Sequence, residues 1–184
     1  MNLVFLLEEL SAKEMLEGLL PKVLPDDVVP YFIVFEGKSD LEKRIPIKIR
    51  GWKLPDSRFV VLRDKDSGDC LSIKRHLQEL SVSAGRLDTL VRIACHEVES
   101  WYLGDLKAVE NALDLRLPGA QSAAKYRDPD RLANAAQELE RITNGKYQKV
   151  AGSRAIGPLL DITRNRSTSF HHFISRVERI LREK

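Results

Sequence analysis

Two aspartates separated by one lysine, Asp64-Lys65-Asp66, follow closely on the strongest strand signal in the chain, Phe59-Val60-Val61-Leu62. An apolar run that ends in acids reads as a buried strand with functional groups at its C-terminal end, where open parallel sheets place them. Alternate residues of an extended segment point the same way, so Asp64 and Asp66 could share one ion or hold two neighbouring ions. Three other expected strands end in acids too. Leu3–Leu7 runs into Glu8-Glu9, Tyr31–Phe35 into Glu36, and Leu90–Cys95 into Glu97 and Glu99. Carboxylates gathered at one edge raise each other's pKa unless a cation sits among them. Hard oxygen donors of this kind suit Mg2+, or Mn2+, with substrate phosphates completing the shell.

Turns and helix starts use the same residue types, and Asp69 is read only as the N-cap of the helix that follows. Glu97 and Glu99 face opposite ways if their segment is helical, so one of them is expected to cap or to face solvent. His96 reads as a polar helix-start residue, and Cys70 and Cys95 as small buried apolar groups. His171-His172 has no acidic or cysteine partner at ligand spacing and is read as no metal site. Basic residues fall in two groups that could touch phosphate: Lys38, Lys43, Arg44, Lys48, Arg50 and Lys53, then Arg154, Arg164 and Arg166. A solvated helix face is the plain alternative for any one of them.

The elements that must position these groups alternate. After the first strand, Ser11 with Glu14 forms a capping-box pattern for a helix that Pro21 ends. Ser39 with Glu42 does the same for a second helix, which Pro46 is expected to interrupt or shorten. A third helix spans about Asp69 to Glu79, and a fourth carries Trp101, Tyr102 and Leu103. Strand and helix in strict alternation imply parallel strands joined by crossover helices. The expected fold is therefore α/β: a three-layer, mostly parallel sheet of about four strands over residues 1–110. Residues 111–184 read as a helical C-terminal part packed on that core, with helices starting at Asp128-Pro129-Asp130 and covering Ile156–Ile162 and Phe170–Leu181.

Composition sets the outer bounds. The chain has 184 residues, 43% of them hydrophobic, and a net charge of +3. That balance permits nucleic-acid binding without demonstrating it. No apolar run approaches the roughly 18–20 residues that span a bilayer. Two distant cysteines and no basic leader segment point to a reduced, cytoplasmic protein. There is no Walker-type phosphate loop, no Gly-x-Gly-x-x-Gly and no Gly-x-Ser-x-Gly, so neither ATP hydrolysis by the chain alone nor a serine nucleophile is expected.

The order strand–Glu, helix, strand–Asp-x-Asp, helix resembles the TOPRIM fold of primases, topoisomerases and overcoming-lysogenization-defect-type nucleases. Residues 61–70, Val-Leu-Arg-Asp-Lys-Asp-Ser-Gly-Asp-Cys, and 96–105, His-Glu-Val-Glu-Ser-Trp-Tyr-Leu-Gly-Asp, are similar to a TOPRIM-like family of bacterial proteins, domain-of-unknown-function family 4276. Residues 151–158 and 167–170 are similar to it as well. The resemblance implies Glu8 as general acid/base, with Asp64 and Asp66 holding Mg2+ and Glu97 or Glu99 completing the shell. Glu9 stands where TOPRIM strand one usually has Gly, and Glu36-Gly37-Lys38-Ser39-Asp40 is itself similar to the Glu-Gly-x-x-Asp motif of primase-type domains, so Glu36 is a rival for the first role. The resemblance also implies an ATPase partner in mobile-element or phage-defence settings.

Two functions follow as expectations. One is a Mg2+-dependent nuclease or phosphodiester-transfer protein, with Lys38, Lys43, Arg44 and Arg154 contacting nucleic acid. The other is a non-catalytic module that binds an ATPase or nucleic acid. The sequence leaves the oligomeric state open.

Overall fold

The computed structural model describes residues 1–183. Four strands, β1 (Asn2–Leu7), β2 (Val29–Val34), β3 (Ser57–Asp64) and β4 (Leu90–Ala94), form one all-parallel sheet in the order β2-β1-β3-β4. The chain runs from β1 outward to β2, then returns past β1 to β3. The direction of winding thus reverses between β1 and β3, which makes their C-terminal ends the switch-point crevice of the sheet.

Alternation along the strands separates two cores. Leu3, Phe5, Leu7, Val60 and Leu62 face one side, while Val4, Leu6, Phe59 and Val61 face the other. The second side is covered by α2 (Lys38–Gly51) and α3 (Cys70–Ser83). The first is covered by α1 (Leu10–Leu19) and by the chain beyond β4: α4 (Glu99–Leu103), α5 (Leu106–Ala112), α6 (Ala135–Ile142), α7 (Lys149–Ile156) and α8 (Thr168–Arg182). Leu3 and Phe5 of β1 share one continuous core with Trp101, Leu139, Ile156 and Phe170, so the C-terminal helices form the third layer of the sheet. Among the described residues no helix is long and apolar enough to cross a membrane.

Several local expectations need correction. Ser11 and Glu14 make no capping box. Helix α1 begins at Leu10, Ser11 Oγ donates to the Glu9 carboxylate, and Glu14 pairs with Arg154. Ser39 does not cap α2 either, because the helix starts one residue earlier behind Gly37 at φ 87°, and Glu42 pairs with Arg63. Pro46 lies inside an unbroken α2. A helix-interior proline costs about 3 kcal/mol. Burying Leu41, Ile45 and Ile49 against the sheet offsets it at about 1.5–3 kcal/mol each. Pro30 falls within β2, where it is tolerated because β2 is an edge strand. Asp128-Pro129-Asp130 opens only a short 3-10 turn, Pro129–Arg131, and the helix proper starts at Ala135. Ile156–Ile162 is the end of α7 followed by another 3-10 turn, Gly157–Leu159.

A close crossing fixes the third layer over the sheet end. A Cβ at Gly157 would lie 2.4 Å from the Met15 carbonyl oxygen, and one at Gly18 would meet the Pro158 ring at 2.4 Å. Only glycines allow α1 and the end of α7 to approach this far. That contact lays the first turn of α7 beside Glu9.

Candidate functional site

The acids sit where the switch-point argument puts them, but they are not equivalent. Glu8 follows the last residue of β1 and is 9% exposed, on the α2/α3 side. The Arg63 Nε lies 3.7 Å from Glu8 Oε2, close enough to attract yet too far for a hydrogen bond, so both atoms are buried without a partner. Burial pushes the Glu8 carboxyl above its usual range. The Arg63 charge opposes that shift, and the Asp66 and Glu9 charges add to it.

Asp64 closes β3 and points to the opposite side of the sheet from Arg63. Its Oδ1 accepts a 3.0 Å bond from the Val98 N–H, which ties the β4–α4 loop to the end of β3. Burial first, then the charges of Glu99 and Glu8, hold its carboxyl well above the ordinary value. Glu99, at the first position of α4, is 1% exposed. Tyr147 Oη donates to its Oε1 at 2.9 Å, and its Oε2 is buried with no partner. Burial raises its pKa against the pull of Lys149. Burial and the Glu99 charge push the Tyr147 phenol far up, so it remains a donor.

Asp66 departs from the extended geometry assumed for Asp-x-Asp. Its φ is 51°, in the left-handed region, and its N–H donates to the His96 carbonyl at 2.9 Å. The side chain therefore turns outward to Lys38 Nζ at 3.4 Å. Glu97 is taken by another job: its Oε2 accepts from the Ala136 N–H at 2.8 Å and caps α6. Glu36 is exposed beyond β2, and its backbone N–H is held by Asp40. The acids brought together are Glu8, Asp64 and Glu99. Glu8, Glu9 and Asp64 line one narrow crevice with Ser11, Arg63 and Val98.

Lys149 was missed from sequence. It stands at the start of α7, joined to the Glu9 carboxylate, with the Glu99 and Asp64 charges nearby. Burial pulls its pKa down, but those three acids more than reverse that and leave it raised. No local pattern marks it, because its neighbours come from β1, β3 and α4. Of the basic residues singled out, Lys38, Arg44 and Arg154 are in ion pairs with Asp66, Asp40 and Glu14, and Lys43 is exposed on α2. Cys70 and Cys95 are half-buried free thiols and not core residues.

The carboxylate chemistry fits a hard cation: three desolvated acids, two with an orphaned oxygen. Their spacing stops short of a closed site, since among the described residues no three His, Cys, Asp or Glu side chains stand close enough to hold a metal ion. A surface concavity of about 740 Å³ around Lys107, Glu110 and Arg116, at the end of α5, holds none of these groups.

No curated protein and no solved structure matches the chain. The model of one family, described as a domain of unknown function (DUF4276), matches residues 7–178, and with that span from Leu7, the last residue of β1, into α8 the chain belongs to this family.

Proposed function

We propose that the protein performs divalent-metal-dependent phosphodiester chemistry on nucleic acid, in the manner of a TOPRIM-like domain. The observation that carries this reading is the set of Glu8, Asp64 and Glu99 at the switch point, all held above the ordinary carboxylate range, two with buried oxygens that lack partners. Structural acids in cores are normally paired; unpaired ones mark sites that await a charge. Asp64 and Glu99 would hold Mg2+ or Mn2+. When bound, such an ion polarises a phosphoryl oxygen and lowers the pKa of a water.

Glu8 lies across the sheet from that pair, and burial raises its pKa in the direction that favours a proton-transfer role. Arg63 faces it without a hydrogen bond and the Asp64 N–H gives it a backbone bond, so its Oε2 stays free to exchange a proton. Tyr147 fixes Glu99 through a single O–H. Lys149 neutralises Glu9 and leaves the neighbouring acids to the cation.

Cleavage of supercoiled and single-stranded DNA and of RNA, with Mg2+ or Mn2+, tests the reading. Wild type is expected to cut and Asp64→Ala to lose at least about two orders of magnitude, the usual scale for a catalytic group. No cutting by wild type, or undiminished cutting by Asp64→Ala, would overturn it.

The unclosed spacing of the acids favours a second reading, a non-catalytic module that binds nucleic acid or a partner ATPase. That reading expects no metal-induced stabilisation. A rise in melting temperature with Mn2+ that disappears in Asp64→Asn would argue against it.

A further inference from the structure

We propose that the groove between α3 and α8, along the outer edge of β4, is a phosphate site that holds the backbone of a nucleic-acid strand. It deepens the nucleic-acid reading above by naming where the strand is gripped. The groove encloses about 430 Å³, the scale of a nucleotide-sized ligand, and Cys70, Lys74, Arg92, Arg131, Ser169 and His172 line it.

Arg92 is the anomaly that points to an anion. Its Nε is buried and has no hydrogen-bond partner. Its electrostatic neighbours are a second cation, Arg176, and the Cys70 thiol, with no carboxylate among them. Among the described residues, Arg92, Lys74 and Arg176 enter no ion pair. A half-buried guanidinium beside a like charge is unfavourable unless something negative offsets it.

The acids of the groove cannot do so. Asp128 bridges Arg131 at 2.9 Å. Asp130 accepts from Ser167 Oγ at 2.7 Å, from the Ser169 N–H at 2.9 Å and from Ser100 Oγ at 3.4 Å, which ties down the start of α8. The planar fork of an arginine matches the paired oxygens of a phosphate. The basic residues read from sequence are a poorer match, since Lys38, Arg44 and Arg154 already have carboxylate partners. Position favours a strand over a small anion. Ala94, two residues beyond Arg92 and so about 7 Å further along β4, is the register partner of Asp64. A strand gripped at Arg92 lies on the flank of the carboxylate end of the sheet.

The test is metal-free binding of a fluorescein-labelled 12-nucleotide single-stranded DNA in EDTA, followed by anisotropy over a range of NaCl. Arg92→Gln is expected to weaken binding about tenfold and to lower the salt slope by about one. Arg176→Gln should weaken it less, and Asp64→Asn should bind at least as tightly as wild type. Lys107→Gln, at an exposed site on α5 outside both basic groups, removes the same charge elsewhere and should change affinity less than about twofold. If Arg92→Gln does not fold, the double variant Lys74→Gln/Arg176→Gln, which removes one lining cation of the groove and the cation beside Arg92, is expected to show the tenfold loss in its place.

Wild-type affinity in a folded Arg92→Gln would overturn the proposal. So would an equal loss in Lys107→Gln, or inorganic phosphate shifting the His172 ring resonances when the oligonucleotide does not. The two readings fail separately. A protein that binds through Arg92 but never cuts loses the enzymatic reading alone; one that cuts with Arg92→Gln binding unchanged loses the groove alone.

Discussion

Asp105 and Glu138 in the helical layer, and Asp64 and Glu99 at the sheet end, are the same two residue types held in protein interior, and their surroundings are opposite. Asp105 is completely buried and meets Arg164 through both carboxylate oxygens, at 2.7 and 3.0 Å, while also accepting from the Ala108 and Asp161 N–H groups. Glu138 gathers Lys125, Tyr126 and Arg141, and the Arg141 bond chiefly holds its carboxyl down at about 2. Asp64 has one backbone donor and three acidic neighbours, Glu99, Glu8 and Glu9, and Glu99 has one phenol and an orphaned oxygen. The first pair has been given everything a buried anion requires. The second pair has been left short. Burial of a carboxylate alone therefore says little; the completeness of its partners separates acids that hold the fold from acids that await a ligand.

The sharpest way to break this contrast is Asp105→Ala. It strips the buried counter-charge from Arg164, takes the carboxylate acceptor from the Ala108 and Asp161 N–H groups, and should cost about 3 kcal/mol in urea unfolding. If the loss matches that of an ordinary surface change, Asp105 is not a structural anion.

Glu138→Gln comes next, at about 1–2 kcal/mol, reduced because Lys125 and Arg141 are 46% and 66% exposed and their charges are screened. The sign follows from a folded pKa of about 2 against an ordinary 4.5. The unfolded chain takes up the proton first as pH falls. The contribution of Glu138 is thus full above pH 4.5 and lost on the way down to pH 2, and Glu138→Gln should flatten that part of the stability profile.

Asp64→Asn should do the reverse. The folded carboxyl is raised, so the folded state holds its proton more tightly, and ionisation at neutral pH weighs against folding. Asn keeps the acceptor for the Val98 N–H and removes the charge. A gain of about 1 kcal/mol at pH 7.5, shrinking as pH falls toward the ordinary value of 3.8, is expected from denaturation at several pH values. A loss of stability at pH 7.5 would place Asp64 with the structural acids.

The smallest effect is Tyr147→Phe, about 0.5–1 kcal/mol, the scale of one hydrogen bond. It takes from Glu99 its one side-chain donor and should raise the Glu99 carboxyl further, which titration by carbon-detected NMR would follow.

The sequence by itself determined the parts governed by neighbours along the chain. Four apolar runs ending in acids became four parallel strands, because a period-two or continuous apolar pattern is satisfied by local backbone geometry. Asp69 capped α3, accepting from the Ser72 N–H at 2.8 Å, because a cap needs only residues within one turn. Pro46 read as a break and was overruled by the core under α2, and Asp128-Pro129 read as a helix start and gave one short turn. Only the tertiary structure decided which acids meet. Asp66 left the cluster through a single left-handed φ, Glu97 was drawn off to the start of α6, and Glu99 was turned toward Asp64. Lys149 and Tyr147 reached the site because Gly18 and Gly157 let α1 and the end of α7 close on each other. Partner choice for a buried charge depends on groups remote in sequence, and no periodicity along the chain records them.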